Sequence, residues 1–81
     1  MSLTENMNYD VLLDAIELKC PMPLLKMKLA LAKMAPSQIL CVLSSDNSSI
    51  KDIPYYLSVA KIPLLEQKSE GEIHCFLIQK P

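Results

Sequence analysis

Cys20-Pro21-Met22-Pro23 is the stretch of this sequence whose residue types and spacing offer chemistry. A cysteine acts as a nucleophile through its thiolate, and a helix N-terminus is one of the settings that favour that anion. Proline is tolerated in a first helical turn because the N–H it lacks has no intrahelical acceptor there. Two prolines in one turn therefore predict a stiff helix start, with Cys20 at or near the cap and facing the free amides of Met22 and Leu24. On this reading the thiol pKa is lowered, Lys19 pushes the same way and Glu17 opposes it. The plain alternative is that Cys20 is a small apolar residue ahead of a helix.

The other candidates are weaker. Cys41 alternates with Ile39 and Leu43, and Cys75 with Ile73 and Leu77, so both read as core thiols in strands. His74 is the single histidine and is expected to point outward from its strand. A Cys–His nucleophile pair needs the two side chains adjacent in space, which nothing in the spacing indicates. No C-x-x-C pair and no acidic cluster accompany that histidine, so no metal site is expected. A lone glycine leaves no glycine-rich phosphate loop, and no cofactor is expected.

The elements that must position Cys20 follow from periodicity and turn residues. Val11-Leu12-Leu13-Asp14-Ala15 is a short β-prone run ending in the polar turn around Glu17, Leu18 and Lys19. Strong helix formers fill Pro21 to Met34, with Leu24, Met27, Leu31 and Met34 on one face. Leu25 and Leu29 fall on another arc beside Lys26 and Lys28; they widen the core stripe or form a docking face next to Cys20. Pro36 ends the helix, and Gln38 to Leu43 reads as a buried strand. Ser49-Ile50-Lys51-Asp52 fits a capping box opening a second helix to about Ala60, with Pro54 either in its first turn or kinking it. Leu64–Lys68 and Ile73–Gln79 flank Gly71 as a hairpin. The expected fold is an α/β (α+β) two-layer sandwich of order β-α-β-α-β-β, a four-stranded mixed sheet with two helices on one face. Asp46 and Asp52 read as turn and helix caps ahead of any part in chemistry.

Composition narrows the function classes. The 81 residues make one domain, and 51% are hydrophobic, enough for a core. Residues 1–9 are polar and expected as a flexible tail, with the domain spanning 10–81. Net charge is −1, with eight lysines and no arginine, so direct nucleic-acid binding is not expected. No apolar run approaches the roughly 20 residues that cross a bilayer, and no secretory leader is recognisable. Three widely spaced cysteines are not a disulfide framework, and the cytoplasm is the expected compartment.

The chain resembles the TusA/SirA-type sulfur-carrier family over about residues 12 to 80. The resemblance rests on Leu13-Asp14-Ala15, Leu18-Lys19-Cys20-Pro21-Met22-Pro23, Ser45-Asp46, Lys51-Asp52-Ile53-Pro54 and Phe76-Leu77-Ile78-Gln79-Lys80. It implies a cofactor-free sulfurtransferase that carries sulfur as a persulfide on Cys20. Lys19, Pro21, Met22 and Pro23 would form the supporting helix start, and Leu25, Lys26, Lys28 and Leu29 the partner docking face. It also implies a cysteine desulfurase or rhodanese-type donor, a downstream acceptor protein, and in one branch thiolation of tRNA. The chain departs from the pattern at Glu17 and Ser37, where glycine is usual, at Asn47 for proline, and at Gln79 for arginine. Two alternatives stay open. One is a non-catalytic regulatory or RNA/protein-interaction module, since the sandwich also resembles the C-terminal domain of translation initiation factor 3. The other is a redox-sensing thiol protein.

Overall fold

The computed structural model describes residues 8–81. Six elements run in the expected order: β1 (Val11–Ala15), α1 (Met22–Ala32), β2 (Ile39–Ser44), α2 (Ser49–Ala60), β3 (Leu64–Glu70) and β4 (Ile73–Gln79). They build one four-stranded sheet of order β1-β2-β4-β3. β1 runs parallel to β2, while β4 is antiparallel to both of its neighbours. The α+β sandwich expected from the sequence is the fold of the chain.

Strand alternation sorts the apolar residues onto two faces. Leu40 and Val42 of β2 and Phe76 and Ile78 of β4 point toward the helices. There they meet Met27 and Leu31 of α1, and Ile53 and Leu57 of α2. Each such side chain contributes about 1.5–3 kcal/mol when fully buried, and this cluster is the main core. Their strand neighbours Cys41, Cys75 and Leu77 form a second cluster on the opposite face, with Ile39 and Leu43 packed against it. Both strand cysteines are thus core residues, in agreement with the sequence pattern. The expected tail lies mostly outside the described residues. Tyr9, at its end, is half-buried against this second cluster, and the Asp10 carboxylate accepts the Ile39 N–H at 2.8 Å.

The helix ends differ from the sequence expectation in instructive ways. α1 stops at Ala32, because the Lys33 and Met34 amides turn back to Ala30 and Leu31 in a tighter last turn. The Lys80 ammonium, arriving from the end of β4, donates to the Leu31 carbonyl at 2.7 Å. Ser37, where the family pattern has glycine, adopts φ 76°, a left-handed conformation that glycine takes without steric cost. α2 ends in a Schellman arrangement: Lys61 has φ 60°, and the Lys61 and Ile62 amides donate to Ser58 and Leu57. Its start is not the expected capping box. Ser48 holds the N-cap position without a side-chain bond, and the Ser49 hydroxyl is buried against Ser44 Oγ at 3.2 Å. Pro54 lies inside α2, and the helix continues past it to Ala60.

Candidate functional site

β1 and β2 end side by side, with Ala15 opposite Ser44. The loops that leave them, β1–α1 and β2–α2, therefore emerge at the same edge of the sheet. The carboxyl ends of parallel strands are where α/β sheets generally place ligands and reactive groups. Here that edge brings together Cys20 from the first loop, and Asp46 and Asp52 from the second loop and the first turn of α2.

The two loops are tied to each other and to the sheet. The Asp14 carboxylate accepts the Ile16 N–H at 3.1 Å, and the Leu18 amide returns to the Ala15 carbonyl at 3.1 Å. The Ser45 hydroxyl donates across to the Ile16 carbonyl, joining the second loop to the first. The Asp46 amide donates to Ser44 Oγ at 3.1 Å. Asn47 accepts from His74 Nε2 at 3.3 Å, while His74 Nδ1 pairs with Ser69 Oγ at 2.7 Å. His74 is therefore buried and polar-satisfied, not outward-facing as expected. Its parity with Phe76 and Ile78 puts it on the helix side of β4, and that parity is the signal the sequence contained.

Cys20 is exposed in the turn before α1. The Cys20–Pro21 peptide bond is cis, and the Met22 amide donates to the Lys19 carbonyl at 2.8 Å. Pro21, not Cys20, occupies the N-cap of α1, and no side chain caps the helix. The Met22 amide is thus already engaged by the chain itself. Pro23 is buried under the turn, while Lys19, Pro21 and Met22 are exposed around the thiol.

The thiol instead faces a carboxylate. Cys20 Sγ donates to Asp52 Oδ2 at 3.7 Å, across 32 residues of sequence. Local desolvation, the Asp52 charge, its hydrogen bond and the Asp46 charge together hold the Cys20 pKa above the ordinary thiol value. This reverses the expectation of a lowered pKa. The sequence points to the helix dipole, Lys19 and Glu17, but the charges that act on the sulfur come from the second loop and α2. Asp46 Oδ2 is itself buried, with no hydrogen-bond partner among the described residues.

The four residues considered for docking lie along α1. Leu25 and Leu29 are 42% and 58% exposed, which removes them from the core stripe of Met27 and Leu31. Lys26 is exposed, and Lys28 holds its ammonium 4.4 Å from the ring centre of Tyr56 on α2. Met22 continues the apolar strip toward Cys20 at 38% exposure. No group of three or more His, Cys, Asp or Glu side chains among the described residues is placed to hold a metal ion. No helix among them is long and apolar enough to cross a membrane.

An exposed thiol displayed where two parallel strands end, on a two-layer α+β sandwich, defines the class: a small thiol protein. Residues 11–80 match the family described as sulfurtransferase TusA. The chain is 38% identical over 73 residues to the sulfur carrier protein TusA of Allochromatium vinosum, covering 90% of this chain and 96% of that one. It is 39% identical over 74 residues to the putative sulfur carrier protein YrkI of Bacillus subtilis, covering 91% and 99%. The crystal structure of a SirA-like protein from Desulfitobacterium hafniense shares the fold. It has a TM-score of 0.76 and 19% identity, covering 86% of this chain and 96% of that one. The chain belongs to the TusA family of sulfur-carrier proteins. Sulfur transfer is accordingly its general activity, and sulfur donors and acceptors are its general class of partner.

Proposed function

We propose that Cys20 accepts sulfane sulfur from a donor protein as a persulfide and passes it to a thiol of an acceptor protein. The observation that carries this reading is the division of the three thiols: Cys20 is exposed, whereas Cys41 and Cys75 are buried on the far face of the sheet. Lys19, Pro21, Met22 and Pro23 form the turn that presents the sulfur, within a carrier domain of residues 10–81. The donor is a cysteine desulfurase or rhodanese-type protein that docks on Leu25, Lys26, Lys28 and Leu29. The apolar strip from Met22 through Leu25 to Leu29 leads from that face to the thiol. The protein works in the cytoplasm, and tRNA thiolation is the destination that the family resemblance implies. Acceptor proteins would carry the sulfur there, since a chain of net charge −1 without arginine is poorly suited to hold RNA.

The test is direct. The protein is incubated with a cysteine desulfurase and cysteine, digested without reductant and mapped by mass spectrometry. One added, reducible sulfur on the Cys20 peptide is the expected result. Sulfur found mainly on the Cys75 peptide, or loading that persists in Cys20→Ser, overturns the assignment.

A further inference from the structure

We propose that Asp52 sets the direction of sulfur flow through Cys20, by holding the unloaded thiol and leaving the loaded persulfide without that contact. The inference rests on the carrier reading above and adds a positioning residue to it. Asp52 Oδ2 accepts the Cys20 S–H at 3.7 Å, from the first turn of α2. The acceptor is a carboxylate, so it favours a donor S–H and disfavours an anion in the same place.

Loading removes that donor. In the balanced step, the terminal sulfur of a donor persulfide anion is transferred to Cys20 Sγ. The donor's S–S bond breaks, a new S–S bond to Cys20 forms, and the Cys20 proton ends on the donor thiol. Sulfane sulfur changes carrier with no net oxidation or reduction. Persulfides are more acidic than thiols, so the loaded group is an anion facing the carboxylates of Asp52 and Asp46. An interaction present only in the unloaded state lowers the affinity of that state for sulfur by the same free energy. Asp52 therefore makes the loaded carrier the higher-energy form and favours onward delivery. Desolvation first, and then the charge and hydrogen bond of Asp52, likewise hold the Cys20 thiol protonated above its ordinary pKa. Asp52 is exposed and takes no part in the core, so its role separates from folding.

The experiment equilibrates the full chain with glutathione persulfide and glutathione at a fixed ratio and reads the loaded fraction on the Cys20 peptide. In Asp52→Asn the ratio of loaded to unloaded Cys20 is expected to rise about three- to tenfold at low salt, the scale of an exposed charge-assisted hydrogen bond. The increase is expected to shrink in high salt, which a purely structural role of Asp52 would not produce. Asp52→Glu, which keeps the charge, is expected to stay close to the native ratio. Wild-type loading on Cys20 with an equal or lower ratio in Asp52→Asn overturns the role of Asp52 and leaves the carrier reading standing. Absence of sulfur on wild-type Cys20 overturns the carrier reading, and the role of Asp52 with it.

Discussion

Cys41 Sγ lies 3.3 Å from Cys75 Sγ, buried between β2 and β4 on the face of the sheet opposite the helices. The two residues are diagonal neighbours, since Cys41 sits opposite Leu77 and Cys75 opposite Leu43. One thiol donates its S–H to the other sulfur, and this bond together with burial holds Cys41 protonated far above the ordinary thiol range. Two of the three thiols thus serve each other and the packing around them.

In the native protein a bulky disulfide reagent should therefore modify one thiol quickly, at Cys20, and reach Cys41 and Cys75 only when denaturant opens the sheet. A colorimetric thiol titration with and without guanidinium measures this. Cys41→Ala should cost about 1–2 kcal/mol in denaturant unfolding, for the lost packing and the lost sulfur–sulfur contact. Cys20→Ser should stay within about 0.5 kcal/mol of the native protein, as an exposed substitution.

The pH dependence of Cys20 alkylation follows from Asp52 and Asp46. Desolvation of the thiol and the negative charge of these side chains all disfavour the thiolate. The alkylation midpoint should lie above that of a cysteine in an unstructured peptide measured in the same buffer. At neutral pH the folded protein should accordingly react more slowly than the peptide. Asp52→Asn should move the midpoint down and speed neutral-pH alkylation. A midpoint at or below the peptide's would mean that the helix N-terminus, not the carboxylates, governs the sulfur.

Docking on α1 is checked by Leu29→Asp. The side chain is 58% exposed, so unfolding free energy should change by less than about 0.5 kcal/mol. Sulfur uptake from a protein donor should slow by about tenfold, the scale of losing one apolar anchor. Uptake from glutathione persulfide should be unaffected. Equal slowing with both donors would place the defect at the thiol itself.

Among the described residues, Lys61 and Ser37 are the two non-glycine positions with left-handed backbone, at φ 60° and 76°. Lys61→Gly keeps the Schellman bonds to Leu57 and Ser58 and relieves the side-chain crowding, against the added freedom of the unfolded chain. The net expectation is a gain of up to about 1 kcal/mol in thermal or denaturant unfolding. Ser37→Gly should act in the same direction.

Periodicity made most of this architecture readable in advance. The apolar spacing of Met27, Leu31 and Met34, the turn at Gly71 and the bounded runs around Cys41 and Cys75 each determine a local element and its buried face. Cys20 stood out because two prolines after a cysteine constrain one turn. What surrounds the sulfur was not legible, because electrostatics act through space and sequence neighbours are poor guides to it. Glu17 and Lys19 lie close to Cys20 in sequence, whereas Asp52 arrives from 32 residues away. The same blindness misplaced Ser49, whose hydroxyl serves Ser44 instead of a capping box. His74 is a different case, since its alternation with Phe76 and Ile78 already places it inward.

The strand order β1-β2-β4-β3 puts the last strand of the sequence between two earlier ones. While residues 73–79 are still inside the ribosome, β2 and β3 have no partner at the positions β4 will fill. The Leu31 carbonyl at the end of α1 likewise pairs with the ammonium of Lys80, which follows β4. A chain without β4 therefore leaves β2 and β3 unjoined, although β1 and β2 pair directly. Hiding Cys41 thus depends on the last strand, which brings Cys75 and Leu77 against it, whereas Cys20 is exposed without any contribution from β4.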